Sequence, residues 1–216
     1  MIQTSLPLTA AQNINALIPR IARVLLRLIG WKIEGALPDA PKFVIIVAPH
    51  TSNWDVPIGL ICAYALGLLN GWPYGYMVKD SAVRWPVLGA LIHWLGGIPI
   101  NRRAAHNLVE QMADFLRARD RFMLAITPEG TRKKTAYWKT GFYYIACQAQ
   151  VPIVLAFLDY ARKVGGIGPV VVPSGDIEAD FEIIRKFYAG VTARFPHEFG
   201  EVRAKTALDP KGLQDP

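Results

Sequence analysis

The chain has 216 residues, 52% of them hydrophobic, and a formal net charge of +7. This length is sufficient for one sizeable domain with a large core, and no linker or block of charge divides it. We find no internal repeat and no low-complexity segment, which excludes a repeat architecture. The excess of positive charge predicts an anionic partner or an anionic surface.

The first predicted element is a helix with one basic side and one apolar side. Arg20, Arg23 and Arg27 gather on the basic side. The apolar side consists of Ile14, Leu17, Ile18, Ile21, Val24, Leu25, Leu28 and Ile29. Such a helix suits the headgroup layer of an anionic bilayer, although packing of its apolar side on the domain explains the pattern equally well. Pro19 lies inside the pattern, so the helix proper is expected to begin near that residue.

The domain organisation follows from this element. We assign residues 1–31 to the amphipathic helix and residues 32–216 to one further domain. The first cation is Arg20 and no small-residue cleavage site follows cleanly, so no signal peptide is expected. Residues 56–78 carry no charge, but turn-forming residues leave an uninterrupted part that is too short for a bilayer. We therefore expect a peripheral or monotopic protein at the cytoplasmic face of a membrane.

A histidine and an aspartate follow the first predicted strand. Residues 43–48 are apolar and β-branched, and the turn formers 51–53 come shortly after them. A turn there lets Asp55, in the first turn of the next helix, reach His50, which a continuous helix would not allow. A carboxylate on the far ring nitrogen fixes the tautomer of a histidine that takes a proton from a hydroxyl. Alternatively, Asp55 only caps the helix and His50 is an ordinary loop residue.

Two later strands also end in charged residues. The strand-like stretch of residues 96–103 finishes with Arg102 and Arg103, and the strand predicted over residues 122–126 is followed by Glu129 and Arg132. Ligands bind at the carboxyl edge of an open α/β sheet, so these side chains are expected to share one site. Guanidinium groups match phosphate geometry, which indicates a phosphorylated substrate. Taken alone, each Arg would be interpreted as a solvated surface charge.

The remaining elements continue the alternation of strands and helices. Strands are expected over residues 74–78, 153–157 and 169–172, and helices over residues 57–69, 139–148 and 177–192. This alternation predicts an α/β fold, namely a single domain with a mostly parallel sheet that helices cover. Cys62 and Cys147 lack ligand spacing, which predicts free buried thiols and no metal site.

Four short motifs follow one another along the chain: His50-x4-Asp55, Gly97-Ile98-Pro99-Ile100-Asn101-Arg102, Pro128-Glu129-Gly130-Thr131-Arg132 and Val151-Pro152-Ile153-Val154. In order and spacing they resemble the four motifs of the glycerolipid acyltransferases typified by 1-acylglycerol-3-phosphate acyltransferase. Three positions depart from the usual pattern, namely Asn101, Thr127 and Leu155. These departures leave the identity of the acyl acceptor open.

The resemblance implies a role for each motif residue. His50 would be the general base and Asp55 the residue that orients it. Lys79, at the end of the 74–78 run, matches a basic residue often found between the first two motifs. The residues that would bind the acceptor are Lys79, Arg102, Glu129, Gly130, Thr131 and Arg132.

The reaction that the resemblance implies is an O-acyl transfer in phospholipid biosynthesis. A fatty acyl group would pass from acyl-coenzyme A or acyl-carrier protein to the hydroxyl of a lysophospholipid such as 1-acylglycerol-3-phosphate. Because thiolate is a good leaving group, no cofactor, metal or enzyme nucleophile is expected. The implied partners are therefore the lysophospholipid, the acyl donor and an anionic membrane surface.

Two alternatives stay open at this point. One is an acyltransferase for another lysolipid acceptor, and the other is a catalytically inactive membrane protein that binds lipid. A nucleic-acid partner is not expected, because the basic residues are scattered and no nucleic-acid-binding motif is present.

Overall fold

A sheet of seven strands is at the centre of the computed structural model, which describes residues 8–79, 83–85, 89–90, 92, 94, 96–100 and 108–205. The strands are β1 (Lys32–Glu34), β2 (Lys42–Ala48), β3 (Tyr74–Lys79), β4 (Gly97–Ile100), β5 (Phe122–Ile126), β6 (Ile153–Asp159) and β7 (Val164–Val171). Their order in the sheet is β1-β7-β6-β2-β5-β3-β4.

The sheet is mostly parallel. Strands β2 to β6 all run in one direction, whereas β7 pairs antiparallel to β6 and carries β1 alongside it in parallel. The expected α/β class with a mostly parallel sheet is therefore confirmed.

Helices cover both faces of this sheet. Within the described residues they are α1 (Leu8–Leu28), α2 (Asp55–Leu66), α3 (Leu68–Gly71), α4 (Leu108–Arg117), α5 (Gly141–Ala149) and α6 (Ile177–Tyr188), followed by a short 3-10 turn at Pro196–Glu198. Because both faces are covered, β2 is a continuous apolar run whose side chains alternate between two cores. Val44 and Ile46 pack with α4, α5 and α6, and Phe43 and Ile45 pack on the face of α3.

The predicted helices have other bounds than expected: the one over residues 139–148 is Gly141–Ala149, and the one over residues 177–192 ends at Tyr188. Two further differences have a cause in the backbone. The expected helix over residues 57–69 is divided by Gly67, whose φ of 84° ends α2 in the left-handed conformation that glycine tolerates best. Helix α1 begins at Leu8, so the expected start near Pro19 is wrong. Residues 8–17 include Leu, Ala and Gln, which have high helix propensity. This propensity outweighs the loss of the one backbone hydrogen bond that Pro19 removes.

Strand β7 begins at Val164, earlier than the expected residue 169. The sequence does not show this start, because two glycines follow it. A β-carbon on Gly166 would lie 2.1 Å from the carbonyl oxygen of Glu34, and one on Gly165 would lie 2.5 Å from Sγ of Cys62. Close approach by β1 on one side and α2 on the other therefore requires residues that have low strand propensity.

The sequence analysis predicted neither strand β1 nor helix α4.

Helix α1 packs on α2 with only part of its apolar side. Ala22 and Leu26 are buried against α2, and Nε of Arg23 donates to the carbonyl of Ala65 at 3.1 Å. The packing interpretation therefore explains part of the amphipathic pattern. Several large apolar side chains of this segment stay exposed, namely Leu17, Ile21, Val24, Leu25, Leu28 and Ile29. None of the helices in the described part of the chain combines the length and the apolar composition needed to cross a bilayer.

Candidate active site

Three neighbouring strands deliver polar side chains to one edge of the sheet. In the sheet, β2 lies between β5 and β6, and the carboxyl ends of these three parallel strands meet at the same edge. His50 follows β2, Glu129 follows β5 and Tyr160 follows β6. His50 therefore has Glu129 on one side and Tyr160 on the other.

The turn after β2 brings His50 and Asp55 together. Asp55 is the first residue of α2, and its Oδ2 lies 3.4 Å from Nδ1 of His50. The Asp55 side chain is buried, whereas the His50 side chain is 14% exposed. The imidazole thus reaches the surface of a cavity while its carboxylate partner is shielded from water.

The carboxylate of Asp55 accepts several hydrogen bonds. Oδ2 accepts from the backbone N–H groups of Thr51 at 2.8 Å and Ser52 at 2.7 Å, and Oδ1 accepts from the hydroxyl of Tyr160 at 2.6 Å. The side chain turns back toward the preceding loop, and α2 has no side-chain cap at Trp54, so the capping interpretation of Asp55 is wrong. Burial would raise the pKa of Asp55, but the donors from His50, Tyr160 and Ser52 outweigh it and hold the pKa below its usual value.

Glu129 contacts the backbone of His50. Its side chain is 3% exposed, and its Oε2 accepts from the backbone N–H of His50 at 2.8 Å. Burial, assisted by the charge of Asp55 and opposed by this hydrogen bond, raises the pKa of Glu129 to about 8. Glu129 therefore fixes the backbone of the β2 end.

Gly130 and Thr131 shape the turn that follows β5. Gly130 has a φ of 68°, and a β-carbon there would lie 2.8 Å from the side chain of Lys139. The backbone N–H of Gly130 donates to the carbonyl of Thr127, which closes the turn at 3.1 Å. Thr131 is exposed, and its hydroxyl oxygen accepts from the backbone N–H of Lys133 at 3.3 Å.

An apolar cavity of about 440 Å³ opens beside His50. Its polar lining at the carboxyl ends of the strands includes His50, Asp55, Thr127 and Arg132, and Tyr74 and Tyr76 of β3 also line it. From there it extends between α2 and the sheet. Its apolar walls include Val56, Leu60, Ala63 and Leu66 of α2, and Ile45, Val47, Met123, Ala125, Ala156 and Ile167 of the strands. A site of this volume, apolar with a few convergent polar groups, is typical of small-molecule and lipid binding.

Arg132 is the exposed cation in the lining of this cavity. Among the described residues, no carboxylate lies within ion-pair distance of its guanidinium group. The guanidinium is therefore available to an anionic ligand at the cavity mouth.

Two further predicted cations are Lys79 and Arg102. Lys79 is the last residue of β3 and pairs with Ile100 of β4, which brings its backbone to the same edge of the sheet. Arg102 lies outside the described residues.

Tyr160 was not predicted as a site residue. Its ring meets Trp31 edge-on with 5.1 Å between ring centroids, and Cζ of Arg194 lies 5.6 Å from its centroid. The available signal was its position after β6, at the edge that also carries His50. The strand was expected to end at residue 157, but it continues to Asp159 and thereby carries Tyr160 to that edge.

Potential metal ligands do not cluster in this site. Across the described ranges, no group of three or more His, Cys, Asp or Glu side chains is arranged to hold a metal ion.

Comparison with protein families shows what the chain is similar to. The model of the family described as Acyltransferase matches residues 34–156. The matched segment is more than half of the chain and includes His50, Asp55 and the turn from Glu129 to Arg132. Helix α1 and Tyr160 lie outside it.

Proposed function

As a member of the acyltransferase family, the chain transfers acyl groups, and we propose that it moves a fatty acyl group from an acyl thioester to the hydroxyl of a lysophospholipid. The donor is acyl-coenzyme A or acyl-carrier protein, and the favoured acceptor is 1-acylglycerol-3-phosphate. The observation that carries this proposal is the apolar cavity that has His50, Asp55 and Arg132 in its lining.

In the proposed reaction, His50 is the general base. Its Nδ1 faces Asp55, which leaves Nε2 to take the proton from the acceptor hydroxyl as the oxygen attacks the thioester carbonyl. The tetrahedral intermediate collapses with loss of thiolate, which receives the proton from the imidazolium. Base catalysis of this kind contributes roughly 10²- to 10⁴-fold, and the remaining acceleration comes from positioning and from stabilisation of the oxyanion.

The apolar part of the cavity suits a fatty acyl chain. Each buried methylene contributes about 0.8 kcal/mol, so a long chain gains binding energy without any polar contact. With the chain between α2 and the sheet, the thioester carbonyl would lie near His50 at the polar end of the cavity. The same binding energy serves to orient the reacting carbonyl.

The acceptor phosphate is assigned to Arg132, together with Lys79 and Arg102 from the family resemblance. A guanidinium group binds a phosphate with two parallel hydrogen bonds, and Arg132 is exposed at the cavity. Glu129 has a different role in this proposal. Its buried carboxyl accepts from the backbone N–H of His50, and through this bond it positions the base.

Helix α1 supports a proposed location at the membrane. Its exposed apolar side chains accompany the exposed cations Arg20 and Arg27, a combination that suits the headgroup layer of an anionic bilayer. A lysophospholipid is itself delivered from such a surface. We therefore place the protein at the cytoplasmic face of a membrane, as a peripheral or monotopic protein of phospholipid biosynthesis.

The membrane proposal is tested by sedimentation with phosphatidylglycerol vesicles and with phosphatidylcholine vesicles. Binding should favour the anionic vesicles and decrease in Leu28→Glu, which alters a side chain that is 77% exposed. The control Val172→Glu changes another exposed apolar residue, 74% exposed, far along the chain from α1. Equal loss of binding in both variants would contradict a role for α1.

The catalytic proposal is tested by a matrix of acceptors and donors. Lysophospholipids with different headgroups are incubated with acyl-coenzyme A or acyl-carrier protein, and the acylated products are identified by mass spectrometry. Product from 1-acylglycerol-3-phosphate that is lost in His50→Ala supports the proposal. Product only from another lysolipid supports the alternative acceptor, and lipid binding without any product supports the inactive lipid-binding alternative.

A further inference from the structure

Asp55 has a donor that lies outside the family match. The hydroxyl of Tyr160 donates to Oδ1 of Asp55 at 2.6 Å, which is short for a bond between neutral groups and typical of a hydroxyl donating to a carboxylate. The family match ends at residue 156, and Tyr160 lies after the last of the four motifs. Burial together with this carboxylate partner raises the pKa of Tyr160 well above its usual value, so its hydroxyl keeps its proton and remains a donor.

The two oxygens of Asp55 have different partners. Oδ2 faces the backbone N–H groups of Thr51 and Ser52 and also Nδ1 of His50. Tyr160 is the donor that the described residues supply to Oδ1. The distance to His50, 3.4 Å, is the longest of these contacts, so the imidazole contact is the first to be lost when the carboxylate rotates.

The ring of Tyr160 is held in place by its surroundings. Trp31, which is buried, packs edge-on against it, and the guanidinium of Arg194 lies near its face. The residue after Arg194 is hydrogen-bonded to the loop that follows β2, since the backbone N–H of Phe195 donates to Oγ1 of Thr51 at 3.2 Å. The hydroxyl is therefore delivered to Asp55 from a rigid position.

From these contacts we propose that Tyr160 is a positioning residue, which locks the carboxylate of Asp55 in the rotation that presents Oδ2 to His50. The inference rests on the proposed function, because it assigns Tyr160 a part in orienting the proposed base. Loss of the hydroxyl leaves Oδ1 without this donor, and the carboxylate then rotates toward other donors. The imidazole loses the partner that fixes its tautomer.

The test uses Tyr160→Phe, which keeps the ring and its packing on Trp31. The expected result is a fall in kcat of roughly ten- to a hundredfold with the acceptor KM unchanged, the factor that corresponds to one hydrogen bond to a charged group. The control is Tyr143→Phe, which removes a buried tyrosine hydroxyl bond to Asp180 at 2.8 Å elsewhere in the fold. The control should lose stability and keep kcat.

A second measurement does not depend on turnover. Nitrogen-15 NMR of the imidazole reports which ring nitrogen carries the proton, and His50→Gln identifies the His50 signals. The wild type and Tyr143→Phe should hold the tautomer with the proton on Nδ1, and Tyr160→Phe should give a mixture. Unchanged His50 signals in Tyr160→Phe would overturn the inference. A wild type that has the fixed tautomer but forms no acylated product would instead overturn the proposed function alone.

Discussion

The backbone N–H of His50 donates to Oε2 of Glu129 at 2.8 Å, so these two residues are joined through the main chain and not through the imidazole. This bond crosses from the end of β2 to the end of the neighbouring strand β5. Since Glu129 is buried and its pKa is raised to about 8, its ionisation is costly in the folded protein. The free energy of unfolding therefore depends on the protonation of Glu129, the same residue that holds the backbone of His50 in the site.

We expect Glu129→Gln to change how stability depends on pH. The folded-state pKa of Glu129 is raised from 4.5 to about 8, so the folded protein binds the proton more tightly than the unfolded chain. Its contribution is fully present below pH 4.5 and is lost as the pH rises toward 8, by at most about 1.4 kcal/mol per pH unit. Gln does not ionise and avoids this loss.

Urea denaturation at a series of pH values measures this effect. The unfolding free energy of Glu129→Gln relative to the wild type should increase between pH 5 and pH 8. Glu201→Gln is the control, because the side chain of Glu201 is 67% exposed. Parallel pH profiles for the wild type and Glu129→Gln would contradict the raised pKa.

Replacement of Asp55 by Asn should abolish most of the transfer while the protein stays folded. The amide cannot accept from His50, the backbone and Tyr160 at once, so the imidazole loses its oriented partner. We expect kcat to fall by roughly 10²- to 10⁴-fold, measured as thiol release from the donor, with little change in acceptor KM. The control is Asp180→Asn, another buried aspartate that accepts from a tyrosine hydroxyl and a backbone N–H, but far from His50 in the chain. A comparable loss of kcat in the control would indicate a general effect on the fold.

The strands that carry the site could be predicted because their signal is local. Residues 43–48 and 122–126 are buried on both faces, so each is a run of apolar residues between turn formers. The turn between His50 and Asp55 follows from the same local pattern. What the pattern does not contain is the direction of a side chain, so it could not predict that the carboxyl of Glu129 accepts from the backbone N–H of His50.

Features that depend on contacts distant in the chain could not be predicted in this way. Tyr160 meets Asp55 across 105 residues, and no spacing rule relates the two. The start of β7 is concealed by glycines that allow close approach of β1 and α2. The cavity is likewise lined by α2 and by several strands, so its presence depends on the packing of the whole domain.

Arg132→Ala should weaken the use of a phosphorylated acceptor more than it slows the chemistry. Loss of a charged hydrogen-bonding partner typically costs about 1.5–3 kcal/mol, so the acceptor KM should rise roughly ten- to a hundredfold. The control Lys133→Ala removes a cation from the same exposed turn that does not line the cavity. The acceptor KM could rise equally in the control, or Arg132→Ala could raise the KM equally for an acceptor that lacks phosphate. Either result would mean that Arg132 acts through a general electrostatic effect and does not bind the phosphate.

Gly59→Leu should shift the preference for the donor toward shorter acyl chains. Gly59 is part of α2 and lines the cavity, and the nearest atom to a β-carbon built there is Cδ1 of Leu158 at 3.9 Å, so the new side chain has room to enter the cavity. The helix should tolerate the change, because Leu is a better helix former than Gly. Each methylene that no longer fits loses about 0.8 kcal/mol, so kcat/KM for long-chain donors should fall roughly fourfold per excluded methylene while short-chain donors are unaffected.

The same substitution at Gly141 in α5, where a β-carbon meets nothing within 4 Å, should leave the chain-length profile as it is. If Gly59→Leu reduced the rates for all chain lengths by the same factor, the cavity would not be the site of the acyl chain.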